Sequence, residues 1–397
     1  MSSSHPTRVP RVSAVMRDGE RVTPLELFFD LVFVLALTQC TTLIERTPTW
    51  EGVLKGMLVL GVLWWSWGGY AWLTSVVDPE EGTVRLAMFA AMAAFLVAAL
   101  CVPGAFGSEA LLFACAYAAV RAAHIALFMI ASREDQGLRR SVIGLSVSTA
   151  IGVALLLAAG FTDGPLQLAL WGLALLLDLG GPLLFGVEGW KLVPGHFAER
   201  HGGIVIIALG ESIVAIGIGA RPAIGAGVVV AAVLGMVVAA ALWWAYFDVV
   251  AIVAGRRLAR AAPGREQNQM ARDSYSYLHL PMVAGIALIA VGLKRTLLAV
   301  DDPLKLVPAV ALLGGAAMYL LAHVAFRLRN MHTLSTRRLV CAIVLLALIP
   351  ACASLPALAT LGILAAALVA LIIYEALRYA DVRERVRHQP VQERVAS

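Results

Sequence analysis

Twelve apolar runs, each close to the length that crosses a bilayer, divide this sequence between residues 26 and 377. They fall at 26–44, 53–73, 84–103, 109–131, 141–160, 166–187, 204–220, 223–248, 278–298, 306–326, 338–354 and 357–377. Only 14% of the 397 residues are charged and 60% are hydrophobic, with a mean hydropathy of +0.84. A soluble globular chain is about one quarter charged, so this composition excludes one. The expected fold is all-α, a polytopic membrane protein of about 12 transmembrane helices. The first 23 residues are polar and basic, and no cleavage motif of the signal-peptide kind follows an early apolar core.

Basic residues orient these spans, because cytoplasmic loops carry the excess of lysine and arginine. With twelve spans and both ends on one side, most of the 31 basic residues collect on that side. The opposite side receives Arg46, Lys55, Arg221, Lys294, Arg295 and Lys305, and Arg121 falls inside the fourth span. Both termini are therefore expected in the cytoplasm, as a tail at 1–23 and a basic tail at 378–397. The long loop 249–277 holds Arg256, Arg257, Arg260, Arg265 and Arg272 and reads as a solvated topology signal beside anionic headgroups. Its aromatics are limited to Tyr275 and Tyr277, and no nucleic-acid partner is expected.

An internal duplication is visible at the level of whole helices. Asp30-Leu-Val-Phe-Val-Leu-Ala-Leu can be laid on Glu211-Ser-Ile-Val-Ala-Ile-Gly-Ile, acid on acid. Leu63-Trp64-Trp65-Ser-Trp67 corresponds to Leu242-Trp243-Trp244-Ala-Tyr246, and Ala123-His124-Ile-Ala126 to Ala322-His323-Val-Ala325. The order of the three matches predicts two six-helix units, 24–190 and 191–377, with the basic loop inserted in the second. Six is even, so both units enter from the same side and form parallel repeats.

Ionisable residues within apolar runs are costly in a bilayer and mark either functional positions or paired structural charges. The set here is Glu26, Asp30, Arg121, His124, Asp178, Glu211, His279 and His323. Glu26 and Asp30 stand four residues apart, one turn above the other on one helix face. Glu26 is expected at the headgroup level and Asp30 one turn deeper. Asp178 and Glu211 have no basic residue three or four positions away, so a partner must come from another helix, with Arg121 the candidate cation. Two readings stand for these acids. They are static buried salt bridges, whose breakage costs about 3–5 kcal/mol, or carboxylates coupled to an ion or proton. His124 and His323 are proton relays or histidines satisfied by a neighbour.

The tryptophan runs at 64–67 and 243–247 are explained most simply as an interfacial aromatic belt, and otherwise as walls against the acidic helices. The five cysteines lie singly inside apolar runs, with no metal-site spacing. Phosphate loops, nucleotide fingerprints and Ser–His–Asp arrangements are absent, so no cofactor is expected.

Three blocks resemble the bacterial low temperature requirement A family: Glu26-Leu-Phe-Phe-Asp30-Leu-Val-Phe-Val, Asp178-Leu-Gly-Gly-Pro182, and Phe197-Ala-Glu199-Arg200-His201-Gly with Ile-Ala-Leu-Gly-Glu211-Ser-Ile-Val. The resemblance covers nearly the whole chain. It implies a multi-spanning protein of the bacterial inner membrane, and its name points to growth in the cold rather than to a reaction. Phe29-Asp30-Leu-Val-Phe33 with the residues up to Thr38 is also similar to the Phe-Ser-Asp first-helix motif of the endolysosomal potassium channel family. Those channels are built from six-helix units whose first helix lines the pore. Here Phe29 stands where that motif has serine, and the second copy reads Gly210-Glu211-Ser212.

The expected function is permeation of a monovalent cation, a proton or a small solute, with Asp30 and Glu211 brought together as equivalent sites on the first helix of each unit. A membrane enzyme acting on lipid is the alternative, with Glu26, Glu199, Arg200 and His201 as an acid–base cluster at the cytoplasmic face. A scaffold or sensor with purely structural charges is the third.

Overall fold

The computed structural model describes residues 21–220, 224–381 and 383–386. Most of both expected tails, and Arg221, therefore lie outside the described residues. The chain runs through α1 (Pro24–Arg46), α2 (Trp50–Thr74), α3 (Gly82–Cys101), α4 (Ala110–Ala131), α5 (Gln136–Ala159) and α6 (Gly164–Leu184). It continues with α7 (Pro194–Gly219), α8 (Ala226–Phe247) and α9 (Val250–Arg260). The short α10 (Arg265–Met270) passes through a π-helical stretch, Ala271–Tyr277, into α11 (His279–Leu298). In the same way α12 (Leu306–Ala309) passes through Val310–Gly314 into α13 (Gly315–Met331), and α14 (Thr336–Cys352) and α15 (Ala357–Arg378) close the bundle. Among the described residues, ten helices or joined helix runs are long and apolar enough to cross a membrane. α2, with 25 residues, and α14, with 17, are not among the ten.

Helix starts follow local chemistry. At α1 the Thr23 hydroxyl accepts from the Glu26 amide while a Glu26 oxygen accepts from the Thr23 amide, with Pro24 in the first turn. α7 also begins on proline, Pro194. At α5 the Asp135 carboxylate takes the Leu138 amide at 3.0 Å and the Lys191 ammonium at 2.5 Å. The Lys191 hydrogen bond first, and the Leu138 amide second, hold this carboxyl below the usual aspartate range. A depressed folded-state pKa contributes stability that is present above the ordinary carboxylate range and lost as pH falls toward the folded value. Asp135→Asn is therefore expected to lower the thermal midpoint at neutral pH, with the difference from the native chain closing in acid. A difference independent of pH would contradict this.

The packing order repeats along the chain. α1 packs on α2 and α3, α3 on α4, α4 on α5, α5 on α6, and α6 returns to α2. α7 packs on α8 and α11, α11 on α13, α13 on α14, α14 on α15, and α15 returns to α8. The two series meet where α1 packs on α7 and α11. The run containing α11 is 78% buried and the run containing α13 is 72% buried, against 50% or less for the other eight. These two runs form the interior, and outward faces such as Leu27, Phe28 and Leu31 of α1 are left to lipid.

Close approach within that interior is set by glycine. A Cβ on Gly285 would stand 2.6 Å from the Gly315 carbonyl oxygen, and one on Gly315 would stand 2.7 Å from the Gly285 oxygen. Backbone cannot yield as a flexible side chain can, so small residues are required where α11 crosses α13. Gly285→Ala is expected to destabilise by about 1–3 kcal/mol. Gly362→Ala on α15, where a Cβ meets nothing within 4 Å, serves as the matched substitution and is expected to be neutral or stabilising. Equal thermal midpoints for the two variants would contradict the close crossing.

Three expectations need correction. The loop 249–277 is solvated only in part: Arg257, Arg260 and residues 262–266 are exposed, but α9 is a helix, and from Arg265 the chain is already helical and continuous with α11. Asn268, Ser274 and Ser276 are buried there, with Asn268 donating to the Val187 carbonyl at 3.0 Å and Ser274 to Asn330 at 3.0 Å. Polar residues satisfied by neighbouring helices have the hydropathy of a loop without its exposure. The seventh span starts at Pro194 rather than residue 204, for the same reason, and carries His196, Arg200 and His201 into the helix. Trp243 and Trp244 are 43% and 37% exposed, as an aromatic belt requires, but Trp64 and Trp67 are fully buried and cannot belong to one.

Candidate functional site

α1 and α7 run side by side in the same direction and in constant register. Glu26 meets His196, Asp30 meets Arg200 and Thr41 meets Glu211, and each pair is separated by 170 residues. A single offset held from residue 26 to residue 41 requires parallel helices, and at 1.5 Å per residue the polar seam is about 22 Å long. That is most of the depth of a bilayer's hydrocarbon core.

At the N-terminal end the seam is an ionic cluster. His196 Nε2 lies 2.8 Å from Glu26 Oε1, and Arg200 lies 3.9 Å from the same oxygen. Arg200 Nη2 donates to Asp30 Oδ1 at 2.9 Å, and the indole N–H of Trp67 donates to that oxygen at 2.8 Å. The guanidinium stands over the Trp67 ring, 5.7 Å from its centroid. Glu26, Asp30, His196 and Arg200 are all fully or almost fully buried, so Glu26 is enclosed by protein. Toward the other end, Glu211 accepts from Thr38 at 2.5 Å and from Thr41 at 2.7 Å. Beyond it, Glu45 near the end of α1 pairs with Lys294 of α11 and accepts on its carbonyl from Arg295.

Asp30 and Glu211 are thus on one seam but not together. Glu211 lies opposite Thr41, eleven residues past Asp30, or about 16 Å along the axis. Glu199, Arg200 and His201 do not form one cluster either. Glu199 is exposed and accepts from the Val22 amide at 3.3 Å. The His201 ring is buried among Trp67, Tyr275 and His279.

His201 begins a second polar series. Its Nδ1–H donates to the Phe197 carbonyl at 2.8 Å. The His279 ring is 5.3 Å away; its Nδ1–H donates to the Ser274 carbonyl and its Nε2 accepts from the Tyr246 hydroxyl at 2.8 Å. Tyr246 in turn packs on His323, whose Nδ1 accepts from Arg338 at 2.9 Å, and Arg338 grips Glu375 through two parallel hydrogen bonds.

The remaining predicted residues form a third group between α4, α5 and α6. Arg121 donates to Thr149 at 2.6 Å and stands 3.6 Å from Asp178, whose other oxygen accepts from Tyr117 at 2.8 Å. Asp178 and Arg121 do pair, as the sequence suggested, but away from the α1/α7 seam. His124 lies against Gly69 and Arg121 beside a cavity of about 50 Å³. Among the described residues, no group of three or more His, Cys, Asp or Glu side chains could hold a metal ion.

Sequence reasoning missed His196, the two threonines on Glu211 and the Arg338–Glu375 pair, and its second reading of the 64–67 run, as a wall against the acidic helices, is the one Trp67 follows. One signal for the first was present. Pro24-Leu-Glu26 with Asp30 four residues on, and Pro194-Gly-His196 with Arg200 four residues on, share a spacing with opposite charge.

The profile described as "Bacterial low temperature requirement A protein (LtrA)" matches residues 21–373. An uncharacterized protein of Rhizobium meliloti (strain 1021) is 30% identical over 313 residues, which cover 74% of each chain. No solved structure matches the chain.

Proposed function

The chain belongs to the bacterial low temperature requirement A family, and from that premise we propose that it is a permeation protein, passing a proton or monovalent cation along the α1/α7 seam. The observation that carries this reading is the seam itself. Acids, bases and hydroxyls recur between α1 and α7 at one register over about 22 Å. Intramembrane charges are costly enough that they are characteristic of ion and proton routes. Glu26 with His196, and Glu211 with its threonine hydroxyls, are groups that exchange protons and present oxygens to a cation. In this reading α2 and α14 cross as well, giving twelve spans in two six-helix repeats, 24–190 and 191–377, in the inner membrane with both termini cytoplasmic. The repeated packing order supports the repeats.

A static seam that fixes the pairing of the two helix series is favoured by one observation: Asp30 Oδ1 already takes both Arg200 and Trp67. Flux separates the two. Purified protein in liposomes under opposed pH and potassium gradients is expected to collapse one of them faster than protein-free liposomes do. Identical decay in both would remove permeation and leave the static seam.

A further inference from the structure

A large cavity lies outside the seam, between the end of α8, α9, α13, the start of α14 and the end of α15. Its volume is about 560 Å³, in the range of small-molecule sites. α7 and α8 run in opposite directions, so the end of α8 places the cavity on the membrane face where α1 and α7 begin.

Its lining is strongly basic. Arg256, Arg257, Arg260, Arg327, Arg338 and Arg383 face two carboxylates, Asp248 and Glu375. Both carboxylates are already engaged by arginines of the same lining, Arg383 at 2.6 Å and Arg338 at 2.8 Å. The arginines of the lining thus outnumber its carboxylates six to two. Apart from His323, Asn330, Ser335 and Tyr379, the rest of the wall is apolar and includes Trp244, Phe326 and Met331, with Trp244 and Met331 also open to the surroundings.

One buried group points independently to an acceptor. His323 lines the cavity and is 1% exposed. Its Nδ1 accepts from Arg338, so the neutral ring carries its proton on Nε2, and that N–H has no hydrogen-bond partner. A buried donor without an acceptor is costly. An anionic oxygen in the cavity would satisfy it.

We propose that this cavity binds the phosphate group of an anionic phospholipid, with an acyl chain leaving along Trp244 and Met331. The shared chemistry is a phosphate oxyanion held by arginine and an imidazole N–H. A lipid rather than free phosphate is indicated by the apolar wall and by α9. That helix buries Ala254 and Leu258 and presents arginines on its other face, as helices lying in the membrane interface do.

The test is lipid retention by the delipidated full chain, read by native mass spectrometry with short-chain phosphatidylglycerol. One lipid per chain is expected to persist, and the R257Q/R327Q double variant is expected to weaken it roughly tenfold. Arg139→Gln with Arg140→Gln, outside the cavity, should leave it unchanged, and thermal midpoints report folding. Val253→Trp, which narrows the cavity with every charge intact, is expected to exclude the lipid. Equal binding by native chain and double variant, or equal displacement by phosphatidylcholine, would overturn the proposal. Displacement by inorganic phosphate at the lipid's own concentration would overturn the lipid and assign the site to a free anion.

Discussion

Arg200→Met is expected to destabilise the protein by about 3–5 kcal/mol, the usual cost of leaving a buried ion pair with one partner. Arg200 is 1% exposed and is the arginine that Asp30 and Glu26 share. Without it, Asp30 keeps only the Trp67 indole, and two carboxylates one turn apart on α1 face each other in a dry interior. The second step of the test removes the charge left behind. In Arg200→Met with Asp30→Asn, the amide oxygen still accepts from Trp67, and most of the lost stability is expected to return. The measurement is the thermal midpoint and the monodisperse yield of both variants. A single variant as stable as the native chain, or a double variant no better than the single one, would contradict the ionic cluster.

The two tryptophan runs are expected to behave oppositely although they read alike. Trp67→Ala should cost about 3–5 kcal/mol, as large aromatic truncations in cores do. Trp67 is fully buried, donates to Asp30, and packs against His201 and the Arg200 guanidinium. Trp243→Ala, at a residue 43% exposed and stacked on Phe247, should stay within about 1 kcal/mol. Comparable losses at the two positions would contradict the contrast in their packing.

That contrast shows where the sequence is informative. The apolar runs reveal the membrane helices because twenty-residue hydrophobic stretches have few other fates. Arg121 with Asp178 was readable because two charges inside apolar runs need each other. The start of α7 was not, since His196, Arg200 and His201 lower the hydropathy of a stretch in which α1 receives His196 and Arg200 and the His201 ring packs on Trp67 and His279. Trp64 is fully buried and its matched residue Trp243 is exposed, a difference of packing that a tryptophan run does not encode. The match of Asp30 to Glu211 compared residue types, whereas the seam is built from complementary ones: Glu26 with His196 and Asp30 with Arg200, at one offset. Glu26 and Asp30, one turn apart on α1, belong to one cluster, and Glu211 belongs to the far end of the same seam.

Permeation along that seam is tested most directly by flux through Asp30→Asn and Glu211→Gln in liposomes, beside Asp178→Asn, an equally buried acid off the seam. Each variant is first shown to be folded by its thermal midpoint. The expected result is that both seam variants fall by about tenfold or more while Asp178→Asn keeps the native rate. Native flux in all three variants, or an equal loss in all three, would contradict the seam as the route.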